Sequence, residues 1–130
     1  MAFVLKRVYD EPSPDDGLRV LVDRLWPRGL SRERARVDLW LKATAPSDGL
    51  RKWYAKDDSR WEEFTRRYRA ELEAADRSGD LEEAVGPVIE RARERGAAGR
   101  VTLLYAKRDD AHTHATVLRE FLEGCERRPA

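Results

Sequence analysis

The chain has 130 residues, with 26 Lys and Arg against 25 Asp and Glu and a formal net charge of +1. That length suits one domain, and a hydrophobic fraction of 41% is enough for it to bury a core without disulfide or metal staples. A single cysteine, Cys125, excludes a disulfide framework and an all-cysteine zinc site, and the near-zero net charge excludes nucleic-acid binding by bulk attraction, leaving only local basic patches.

In chain order, residues 3–9 form a β-branched and aromatic run that predicts a first strand. This segment carries Lys6 and Arg7 and lacks a signal-peptide core. No stretch approaches the roughly 20 apolar residues of a membrane span, so the chain reads as cytoplasmic and reduced, with no membrane partner. Residues 10–17 are turn formers with two prolines. A second strand follows over residues 19–25, stopped by Pro27, with Gly29 allowing a sharp turn. Ser31 is placed to cap a short helix over residues 32–36. Residues 37–43 alternate as a strand would, and Ser47 can cap a helical turn through Leu50 and Trp53.

The clearest helix follows. Ser59 and Glu62 have capping-box spacing, and Trp61, Phe64, Tyr68 and Leu72 make one apolar stripe. Gly79 separates it from a helix starting near Asp80 that turns Leu81, Val85, Val88, Ile89 and Ala92 inward. Pro87 should kink or interrupt that helix, and Gly96 and Gly99 should end it. Residues 101–105 are almost continuously apolar, as in a strand buried on both faces. Asp109 or Asp110 should cap a last helix burying Ala115, Leu118, Leu122 and Cys125, before a frayed tail over residues 126–130. The interleaving predicts a single three-layer α/β domain, Rossmann-like, over residues 1–130, with a small, mostly parallel sheet and helices on both faces.

In such sheets ligands bind beyond the carboxyl ends of the strands. Two ends, residues 23–29 and 107–114, concentrate cations, acids and an aromatic ring. If their strands are neighbours, Asp23, Arg24 and Arg28 face Lys107, Arg108, Asp109 and His112 across one crevice. Only five of the 26 cations are lysines, and arginine's planar fork suits carboxylates and phosphates. A free helix N-terminus near Asp109 would add donors for an anion. Trp26 is placed to stack on a ring or a base, or else plugs the sheet end. His112 and His114 would diverge by about 200° on a helix, which argues against a shared metal. A lone histidine as general acid or base fits better. Phosphate-loop, dinucleotide-turn, nucleophile-elbow and Cys-x-x-Cys motifs are absent.

Four blocks carry a family likeness: Gly17-Leu-Arg-Val-Leu-Val-Asp-Arg-Leu-Trp-Pro-Arg-Gly29; Ala45-Pro-Ser47 with Leu50-Arg-Lys-Trp53; Arg60-Trp-Glu-Glu-Phe64 with Tyr68; and Val101-Thr-Leu-Leu-Tyr-Ala-Lys-Arg-Asp109. Together they resemble the YeaO-like family, within the group called domain of unknown function 488. The resemblance implies a Rossmann-like fold, no settled activity and no named cofactor. In the wider group the second strand end carries a cysteine segment ending Cys-His-Arg, which this chain lacks. YeaO-like proteins usually show His-Asn-His and His-Asp-Pro where this chain has His112-Thr-His114 and Lys56-Asp57-Asp58.

The expected function is therefore binding of a phosphate-bearing small molecule, nucleotide or nucleic-acid fragment. Arg24, Arg28, Lys107, Arg108, Asp109 and His114 would hold the ligand, with Trp26 stacking on it. Asp23 or His112 would move a proton if a hydrolase or transferase step follows. The alternative is a non-enzymatic interaction domain in which the same residues form a structural ion-pair network.

Overall fold

In the computed structural model, which describes residues 2–94, 99–109 and 111–128, four parallel strands form one sheet. These are β1 (Ala2–Arg7), β2 (Leu18–Leu21), β3 (Leu39–Trp40) and β4 (Arg100–Tyr105), and their spatial order is β1, β4, β2, β3. The late apolar run thus occupies the interior of the sheet. Leu5 pairs with Leu103 on one side, and Leu18 and Leu21 pair with Val101 and Leu104 on the other. Parallel neighbours need crossovers. These are supplied by α1 (Arg32–Ala35) between β2 and β3, and by α2 (Asp48–Ala55), α3 (Trp61–Ser78) and α4 (Asp80–Glu94) between β3 and β4. The chain then continues into α5 (His114–Glu126).

The two faces of the sheet are unequal. Alternation sends Leu18, Val20, Leu103 and Tyr105 to a large core with Tyr54, Phe64, Tyr68, Leu72, Val85 and Leu118 of the four longer helices. Leu21 and Leu104 go to the other face, where Val8, Ala35, Trp26 and Trp40 make a thin second layer around α1. Tyr68 is fully buried and donates its hydroxyl to the Thr44 carbonyl at 2.6 Å, fixing α3 to the segment after β3. Ser47 caps α2 as expected. Its backbone N–H and its hydroxyl also donate to Glu71, at 2.8 and 2.6 Å.

Three local expectations are corrected. Asp57, not Ser59, makes the cap before α3: its carboxylate accepts the Ser59 N–H at 2.9 Å and holds a 3-10 turn over Asp58–Arg60. Pro87 does not interrupt α4, which runs on to Glu94. Thr113, not Asp109, caps α5, because the Asp109 carboxylate is taken up by the N–H groups of Ala111 and His112 in a turn of its own. Asp110 and Gly96 lie outside the described residues. Among the described residues no helix is long and apolar enough to cross a membrane.

Opposite the carboxyl ends of the strands lies a buried charge cluster that the sequence reading did not single out. Arg19 of β2 is 5% exposed. It pairs with Asp16 and donates to the carbonyls of Ala35 at 2.7 Å and Arg36 at 3.1 Å, which closes the C-terminus of α1. Lys6 reaches the same Asp16 carboxylate at 3.1 Å. Gly17, at φ +65°, brings the chain so close to the Arg100 carbonyl that a Cβ there would collide with it. Removing one partner of a buried pair strands the other, so Arg19→Ala should cost about 3–5 kcal/mol in urea unfolding. A loss near zero would mean that Lys6 alone satisfies Asp16.

Candidate functional site

At the carboxyl ends of β2 and β4 the backbone ladder ends in an exchange of partners. The Val22 N–H donates to the Leu104 carbonyl at 3.0 Å. In a parallel ladder the next rung would run from the Ala106 N–H to the Val22 carbonyl. Here the Ala106 N–H goes instead to Asp23 Oδ2 at 3.0 Å, and the Val22 carbonyl receives His114 Nε2 at 3.0 Å. A carbonyl can only accept, so Nε2 carries the proton and Nδ1 is left as an acceptor when the ring is neutral. The same Nε2 lies 3.6 Å from Asp23 Oδ1, beyond hydrogen-bonding distance, and no described donor reaches that oxygen. Burial pushes the Asp23 carboxyl above its ordinary range despite His114 and the Ala106 N–H. It pushes the His114 imidazole below its ordinary value despite Asp23.

This pair forms the floor of a crevice of about 430 Å³. Its walls come from the loop after β2 (Arg24, Leu25), the Ala45–Pro46 turn, α2 (Arg51, Tyr54) and the loop after β4 (Lys107, His112). Lys107 Nζ bridges the Tyr54 hydroxyl at 3.1 Å and the His112 carbonyl at 2.8 Å, with Asp58 3.9 Å away. Arg24 donates twice to the Pro46 carbonyl, at 3.2 and 3.1 Å. His112 Nδ1 lies 2.7 Å from Asp109 Oδ2, an interaction that holds the Asp109 carboxyl below its ordinary range, and its ring meets Trp61 edge-on.

Five of the nine residues expected at one rim therefore line the crevice: Asp23, Arg24, Lys107, His112 and His114. Asp109 acts on it through His112. Trp26, Arg28 and Arg108 do not line it. The Trp26 indole donates to the Leu30 carbonyl at 2.6 Å and packs edge-on against Trp40 on the thin face, which is the plug rather than the stacking platform. Arg28 and Arg108 are exposed outside it. The free helix N-terminus near Asp109 is also absent, since Thr113 occupies that position.

Sequence reasoning missed Tyr54, Arg51 and Pro46. Leu50 and Tyr54 stand four apart after the Ser47 cap, which is the spacing that would have put Tyr54 on the inner side of α2.

Residues 2–128 match the family described as the inactive DUF488-N3 subclade. The chain belongs to it. An uncharacterized protein of Mycobacterium tuberculosis, Rv3073c, is 40% identical over 118 residues, 91% of each chain, and a Mycobacterium bovis protein, Mb3100c, matches equally. YeaO of Escherichia coli, also uncharacterized, is 35% identical over 117 residues, covering 90% of this chain and 93% of its own. The YeaO-like resemblance of the four blocks is thus established. No solved structure gives a significant match. In this member of the DUF488-N3 subclade, Thr113 between the two histidines has a structural task, its hydroxyl accepting the Ala115 N–H at 3.3 Å.

The pH dependence of stability tests the geometry. In the fold, burial holds the His114 proton off to lower pH, while in the unfolded chain the ring takes a proton as the pH falls through 6.5. The unfolded chain then binds more protons, so stability present above that pH is lost on acidification. Asp23 acts in the opposite sense, being protonated in the fold first as the pH approaches 3.8. Urea unfolding should show the protein losing stability between about pH 7.5 and 5.5, and His114→Gln losing less. Equal losses would remove the imidazole from the buried floor.

Proposed function

We propose that the domain is a binding module for a small phosphate-bearing ligand held at the mouth of the crevice, with no covalent bond made or broken there. The observation that carries this reading is the meeting of Lys107, Arg24 and Arg51 on one open crevice beside an apolar wall of Leu25, Pro46 and Tyr54. Ammonium and guanidinium groups give phosphate its strongest, charge-assisted bonds. Arg51 gives a terminal nitrogen to Asp48 at 2.6 Å, while its Nε has no partner. Arg24 and Lys107 keep donors beyond those already bound. The volume of about 430 Å³ lies within the range of small-molecule sites.

A hydrolase or transferase has less to draw on. Among the described residues the lining hydroxyls are those of Tyr54 and Thr113 and no serine or cysteine lines the crevice, while Cys125 lies towards the far end of α5. The description of the subclade as inactive points the same way. A nucleic-acid fragment is an extended version of the same ligand.

Thermal-shift titration with inorganic phosphate and adenosine monophosphate tests the reading. A ligand at 100 times its Kd stabilises by about 2.7 kcal/mol, a readily measured shift. Lys107→Ala should weaken binding about tenfold, roughly 1.4 kcal/mol, with Glu73→Ala on α3 as an unaffected control. If no phosphate compound raises the midpoint, the alternative of a non-enzymatic interaction domain takes its place.

A further inference from the structure

The crevice is graded from floor to mouth. The Asp23 and His114 side chains are 18% and 16% exposed, while those of Lys107 and Arg51 are 35% and 36% exposed. The polarity of the groups runs in the same direction. At the mouth stand the cationic donors Lys107, Arg51 and Arg24, with the exposed Asp58 carboxylate 3.9 Å from Lys107. The floor offers an acceptor, Asp23 Oδ1, which no described donor reaches, beside a His114 ring whose Nε2 is bound to the Val22 carbonyl. A simple anion satisfies the mouth but is repelled by the carboxylate if it goes deeper. An uncharged apolar group would bury that acceptor without a partner, which is costly.

We infer that the ligand is bipolar, with an N–H donor group pointing inward onto Asp23 Oδ1 and a phosphate facing outward among Lys107, Arg51 and Arg24. This rests on the phosphate-binding reading above and specifies the ligand's other end. Two sources share that chemistry: a nucleotide whose base bears an exocyclic amino group, and an aminoalkyl phosphate. The walls favour the nucleotide, because Leu25, Pro46 and Tyr54 give a planar ring apolar surface between the two poles. Burial raises the Asp23 ionisation and lowers that of His114, so charge at the floor is costly.

Four probes test this by calorimetry: adenosine monophosphate; purine riboside 5′-monophosphate, which lacks the amino group; phosphoethanolamine; and inorganic phosphate. Adenosine monophosphate should bind at least tenfold more tightly than the purine riboside analogue. In Asp23→Asn that preference should fall to twofold or less, because the amide turns a donor toward the ligand's donor. Tightest binding by phosphoethanolamine, lost in Asp23→Asn, would support the bipolar site with the aminoalkyl source. If all four bind equally, the inner pole is overturned while the phosphate site stands. If none binds, the phosphate reading itself fails. Should Asp23→Asn not fold, the comparison of the two nucleotides on the unmodified protein decides alone.

Discussion

The end of the ladder between β2 and β4 is the constraint on which the site depends. Two main-chain groups, the Ala106 N–H and the Val22 carbonyl, would ordinarily bond to each other. Each has taken a side chain instead, Asp23 and His114 respectively. The strands can then separate without leaving either buried group unmet, which backbone in an apolar interior requires. The same exchange pins a carboxylate and an imidazole at a fixed separation from two rigid elements, so their placement follows from the sheet rather than from loop conformation. Arg7 reinforces the arrangement, donating to the carbonyls of Ala106 at 3.0 Å and Lys107 at 3.2 Å and so steadying the loop that carries the crevice's lysine.

At the other end of the sheet, polarity is handled by enclosure. Arg19 and Lys6 share the Asp16 carboxylate, and Arg19 also satisfies the last carbonyls of α1. Asp16 and Arg19 are turned on each other and buried, with Lys6 half-buried beside them. Ion pairs occur at both ends: Asp16 with Arg19 and Lys6 here, and His112 with Asp109 beside the crevice.

Much of the fold was legible because the signals were local. The unbroken apolar run of β4 required a position in the middle of a sheet, and Ser31 and Ser47 announced α1 and α2 by the short side chains that cap helices. The convergence of the two strand ends followed from their being neighbours in a parallel sheet. Other features depend on elements remote in sequence. Trp26 looks like a free aromatic in a Pro-Gly turn, and only Trp40 and α1, arriving later, claim its ring. Arg19 sits between apolar residues where alternation alone does not say which acid it will meet. Asp57 and Thr113 displaced the expected caps because competing acids and hydroxyls lie within a few residues of one another, and spacing does not rank them.

The unequal covering of the sheet has an optical consequence. Trp26 and Trp40 belong to the thin layer around α1, whereas Trp53 and Trp61 pack with the four longer helices. Each side of the sheet thus carries its own pair of indole reporters. With one pair replaced by phenylalanine, intrinsic fluorescence distinguishes a molecule that melts as one cooperative unit from one that sheds its slight outer layer while the helical side still holds.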